Sequence, residues 1–113
     1  MHEMALTESI VDILQEEARR RAFSRVTLVR LEIGALGHVD PRALVFCFDA
    51  VSRGTIADGA ALDIVSVPGQ GWCFDCEKAT PLEERFGACA HCGGRRVQMT
   101  GGDEMRVKEM EIE

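Results

Sequence analysis

Four of the five cysteines fall in two equal spacings, Cys73-Phe74-Asp75-Cys76 and Cys89-Ala90-His91-Cys92, with twelve residues between the pairs. Two residues between cysteines let a tight turn aim both sulfurs at one point, and two facing turns complete a tetrahedron of thiolates. Such a soft donor set selects zinc, or iron in a rubredoxin-like variant. Zinc closed by four protein ligands leaves no open position, so this site explains folding and not activity. Gly93-Gly94 follows the second pair and suits a knuckle that needs positive φ. His91, inside that pair, reads first as an exposed loop residue, the other reading being an alternative ligand. Cys47 stands alone on an apolar stretch, where a thiol behaves as a small hydrophobe. Nothing beside it supplies the basic partner a catalytic cysteine needs.

A second donor set lies at Met1-His2-Glu3. The α-amine, the His2 imidazole and the adjoining backbone nitrogens lie within one chelate's reach. Nickel(II) and copper(II) favour tetragonal sites built from such donors. Glu3 adds a carboxylate, either as a ligand or as a partner that orients the imidazole. Three residues alone are a weak motif, and a histidine at position 2 is ordinarily just a frayed terminus.

The elements that must position these groups are readable from periodicity. Residues 4–22 form an amphipathic helix, with Leu6, Ile10, Ile13, Leu14 and Ala18 on one side. Residues 25–33 switch to a period of two, with Thr27, Val29, Leu31 and Ile33 facing one way. Asp40-Pro41 pairs an N-cap with a first-turn proline and starts a second helix, running to about residue 53. That helix is apolar over much of its surface, which predicts that it is sandwiched, and Gly54 stops it. A strand follows at 61–67. Residues 69–102 are rich in glycine and cysteine and poor in aliphatics, too few to close a core without a staple. Residues 104–113 return to an extended pattern with a one-residue phase slip, and must rejoin the first domain's sheet to find a pairing partner. The expected fold is α+β: a small sheet of about three strands with two helices, carrying an inserted zinc-ribbon-like knuckle domain. The expected boundaries are 1–68 with 103–113 for the first domain and 69–102 for the second.

Composition narrows the function. Hydrophobic residues make up 46% and charged residues 28%, and the formal net charge is −6. The local basic cluster Arg19-Arg20-Arg21 reads as a solvated helix face, so a phosphate-gripping role is disfavoured. No run is long enough to span a bilayer, and the first residues lack a signal peptide's pattern. The expectation is a cytoplasmic protein that binds neither nucleic acid nor membrane, in which cysteines serve metal rather than disulfides.

Together these features resemble the HypA/HybF-type nickel metallochaperones of [NiFe]-hydrogenase maturation. The resemblance spans essentially the whole chain: Met1-His2-Glu3, the strand from Val26 to Gly34, the segment Phe46-Cys47-Phe48-Asp49, both cysteine pairs, and the ending from Met105 to Ile112. It implies a protein that is not an enzyme. Structural Zn(2+) would sit at Cys73, Cys76, Cys89 and Cys92, and Ni(2+) would be transient cargo on Met1, His2 and Glu3. It further implies a GTP-binding nickel-insertion partner of the HypB type, an immature hydrogenase large subunit as recipient and, in some bacteria, urease maturation proteins. Asp40 is conceivable as a supporting oxygen ligand, although helix capping already explains it, and His38 is weaker still. One departure is that some family members carry a histidine directly after the second pair, where this chain has Gly93. Two other classes compete: a zinc ribbon that acts as an adaptor or binds nucleic acid, and a small iron redox module in the four-cysteine site.

Overall fold

The computed structural model describes residues 2–113, in the order α1 (His2–Arg21), β1 (Val26–Gly34), α2 (Pro41–Ser52), β2 (Ala61–Val67), β3 (Gly69–Cys73), β4 (Lys78–Leu82), β5 (Val97–Gly101) and β6 (Met105–Ile112). The strands form two three-stranded sheets, β2-β1-β6 and β4-β3-β5. The fold is the expected α+β, and the last strand does rejoin the first sheet, beside β1. The chain divides into two compact units, one of residues 1–31, 39–64 and 107–113, the other of residues 32–38 and 65–106.

In the first unit α1 packs against α2. Its core is Ile10, Val11 and Leu14 from α1, Val26, Val29 and Leu31 from β1, and Leu44, Cys47 and Phe48 from α2. The buried stripe of α1 runs Glu3, Thr7, Ile10, Leu14, with Val11 beside it. This stripe is rotated from the expected one: Ile13 is exposed, and the helix begins two residues earlier than its apolar periodicity suggests. The reason is Glu3, a carboxylate that finds a hydrogen-bond donor at the start of α2 and so can occupy the inward face.

The second helix starts as its sequence dictates. Asp40 caps it, its Oδ1 accepting from the N–H groups of Arg42 at 3.0 Å and Ala43 at 3.5 Å. Its sandwiching is not borne out. Leu44, Cys47 and Phe48 turn inward, but Val45 is 45% and Phe46 76% exposed. A small sheet and one neighbouring helix cover a single face of a helix, and the remaining apolar residues stay in solvent.

On β1, Val29, Leu31 and Ile33 are buried, as the alternation requires. On the sheet's other side the Arg30 guanidinium bridges Asp63 of β2, at 2.7 Å, and Glu109 of β6. The burial of β6 shifts phase after Val107, with Met105, Val107 and Met110 half-buried.

In the second unit β3 is the central strand, antiparallel to β4 and to β5, with a register irregularity against β5 at Gln70/Gly71. Two backbone stretches approach closely: a Cβ on Gly34 would lie 2.2 Å from the Gly102 carbonyl. Leu36 and Leu82 are buried in this unit, and Arg85 donates from Nε to the Leu36 carbonyl at 3.1 Å.

Candidate metal centre

The first cysteine pair straddles the end of β3 and the turn into β4, where Glu77 takes φ 54°. The turn is pinned outside its sulfurs. Phe74 N–H donates to the Arg96 carbonyl at 2.8 Å, and Arg96 Nε donates to Asp75 Oδ1 at 2.7 Å. The second pair forms its own knuckle. Cys89 N–H donates to the Gly94 carbonyl at 2.8 Å, Gly93 N–H to the Cys89 carbonyl at 2.9 Å, and Gly93 has φ 74°. A side chain at Gly93 would be strained whatever the space around it.

These turns bring all four sulfurs within 4.8 Å of one another. Across the knuckles Cys73 and Cys92 are 3.6 Å apart, and Cys76 and Cys89 3.7 Å. Zinc–sulfur bonds of about 2.3 Å in a regular tetrahedron place sulfurs about 3.8 Å apart. A disulfide would need about 2.05 Å. The cluster is therefore sized for a four-coordinate metal and not for cystines.

Backbone groups tune the sulfurs. His91 N–H donates to Cys89 Sγ and Gly94 N–H to Cys92 Sγ, each at 3.3 Å. Without metal, burial first and then the neighbouring thiols push Cys76 up to about 12. Burial also acts upward on Cys89. The N–H groups of Cys92 and His91 and the Thr80 hydroxyl outweigh it and bring that thiol down to about 6. Four crowded sulfurs cannot all ionise unless a cation neutralises them.

Thr80 is a contributor that the cysteine spacing does not announce. Its buried hydroxyl accepts from Ala90 N–H at 2.9 Å, tying the second knuckle to β4. The available signal is its place on the inward phase of β4. His91 offers the cluster its backbone; its ring Nε2 lies 3.1 Å from the Ala79 carbonyl.

At the other donor set, His2 opens α1 and Glu3 is buried behind it. Glu3 Oε2 lies 3.5 Å from His2 Nε2 and accepts from Asp40 N–H at 3.3 Å. His2, Glu3 and the backbone of Asp40 thus come together, while the Asp40 carboxylate serves the cap of α2. His38 falls in the second unit, exposed, with φ 57°. Met1 lies outside the described residues. Among those described, the four thiols are the group of three or more His, Cys, Asp or Glu side chains whose donor atoms converge as metal ligands do.

Two helices, small sheets and a four-thiol knuckle define a class of small α+β proteins with one four-cysteine metal site. The profile of the family described as hydrogenase/urease nickel incorporation, metallochaperone HypA matches residues 1–112, and the chain belongs to that family. It is 60% identical over 113 residues to a hydrogenase maturation factor HypA of Methylocella silvestris, covering 100% of each chain. To the one of Rhizobium leguminosarum bv. viciae it is 54% identical over 112 residues, covering 99% of each. The solution structure of the nickel metallochaperone HypA from Helicobacter pylori superposes with a TM-score of 0.72 at 25% identity, over 97% of this chain and 96% of that one.

Proposed function

We propose that the chain binds nickel(II) at its amino terminus through Met1, His2 and Glu3 and delivers it to the precursor of the [NiFe]-hydrogenase large subunit. A GTP-binding protein of the HypB type is its partner in the cytoplasm, and urease maturation is a second outlet for the same cargo. In this reading the chain is a carrier and not a catalyst. Zinc occupies Cys73, Cys76, Cys89 and Cys92 and makes residues 69–102 the metal-dependent part, inserted between 1–68 and 103–113.

The observation that carries the reading is the position of Glu3 between His2 and the start of α2. A carboxylate facing Nε2 favours the tautomer with its proton there, and Nδ1 is then free for metal. The first amides of an α-helix have no partner within the helix, so the His2 and Glu3 nitrogens are available beside it. Nickel held by nitrogens at a chain end can pass to a recipient by stepwise exchange of donors. Asp40 and His38 are secondary candidates for an oxygen or nitrogen ligand.

The test is nickel titration of untagged protein beside His2→Ala and a form extended before Met1. One site in the native chain, lost in both controls, supports the terminal chelate; equal binding in all three rejects it. Metal binding displaces protons from its nitrogen ligands, so affinity should fall on acidification.

A further inference from the structure

We propose that the α2–β2 groove of the first unit is a docking site for an extended segment of a protein partner, which adds a strand to β2. The groove holds about 420 Å³ and is lined by Pro41, Arg42 and Val45 of α2 and Leu62 and Ile64 of β2. Two independent features meet there. β2 is an edge strand, hydrogen-bonded to β1 on one side, and it contains no proline to blunt the other. Beside that edge lies an apolar slot, and α2 also leaves Phe46 exposed. An extended chain suits this combination: its backbone pairs with the free edge while alternate side chains enter the slot.

Charge defines the occupant further. Leu62 and Ile64 face the groove, whereas Asp63 between them is bound to Arg30 on the sheet's other face. Arg42 is the groove's cation, and among the described residues its guanidinium has no carboxylate partner. The segment therefore carries alternating apolar residues and one carboxylate placed against Arg42. On a chain of net charge −6, general electrostatics would select basic peptides, so a preference for an acidic one isolates Arg42. This proposal does not rest on nickel, and it is tested on nickel-free, zinc-loaded full-length protein.

The probe is a phage-displayed library of random dodecapeptides, with the selected sequence then synthesised. The proposal expects selected peptides to alternate apolar residues around an Asp or Glu. It expects the synthetic peptide to shift the amides of residues 61–67 and slow their hydrogen exchange. Arg42→Glu should weaken binding about tenfold, and a lysine in place of the peptide's carboxylate should restore it. Far-UV circular dichroism and zinc content of Arg42→Glu and Val45→Glu verify that both fold. The proposal is overturned by selected peptides without that pattern, by amide shifts mapping elsewhere, or by no selection at all. It is also overturned if sedimentation shows a dimer that Val45→Glu abolishes, since a second copy would then fill the groove.

Discussion

The Thr80 hydroxyl reaches no metal and still bears on metal retention. It holds Ala90 N–H, one residue past Cys89, and contributes to the thiolate character of Cys89. Thr80→Val keeps the shape and removes the acceptor, which costs about 1 kcal/mol. The expected outcome is a lower melting temperature and faster zinc loss to a chromophoric chelator, with Thr80→Ser restoring both. Cys89 itself predicts a pH dependence. Its folded value is lowered from the ordinary thiol range to about 6, so the thiolate is favoured in the fold. The stability it contributes is complete above the unfolded value and is lost as pH falls through about 6. Zinc retention by the loaded protein should therefore weaken as pH drops through that value, followed by release of the metal to a zinc indicator. Retention that stayed flat from about pH 7.5 to about pH 5 would reject this role of the Cys89 thiolate.

At the scale of elements, Asp40 separates two roles that coincide in one side chain. As a cap it is worth about 1 kcal/mol, and asparagine caps nearly as well while alanine does not. Asp40→Ala should thus lower thermal stability and Asp40→Asn should not. If Asp40 also supplies an oxygen to nickel, Asp40→Asn weakens nickel binding at unchanged stability; unchanged affinity in Asp40→Asn assigns the residue to the helix alone. The cap was legible in the sequence because aspartate before proline is a local signal, and so was the end of β2, which Pro68-Gly69 marks. The buried stripe of α1 was not, because it runs through Glu3 and Thr7, and only a tertiary partner makes a carboxylate acceptable there. The exposed face of α2 was missed for the opposite reason. Apolar content says that a surface can be buried, whereas the number of layers available to cover it is a property of the whole fold. Thr80 escaped because its use depends on the fold of a knuckle ten residues away.

The chain as a whole is two kinds of structure under one sequence. The first unit has an apolar core drawn from two helices and a strand, while the second buries few aliphatics and gathers four thiols, of which Cys73 and Cys89 are buried. With the proposed zinc bound, a segment of that composition would take its folding energy from the metal, since apparent free energies of structural zinc sites are on the order of 10 kcal/mol. Chelation under reducing conditions should then act unevenly on the intact protein. Backbone amides of residues 69–101 should lose their hydrogen-exchange protection, while those of α1 and α2 keep it. The strands β3, β4 and β5 pair only within the knuckle sheet, so nothing in their own ladder survives the loss of the cysteine turns. The close approach of Gly34 to Gly102 supplies the converse perturbation, since Gly34→Ala forces a methyl to 2.2 Å from a carbonyl without touching a sulfur. It should destabilise by about 3 kcal/mol and leave a stoichiometric zinc ion bound. If metal removal unprotected both units together, the helices would depend on the zinc as much as the knuckle does, and the metal would stabilise the whole fold rather than its insert.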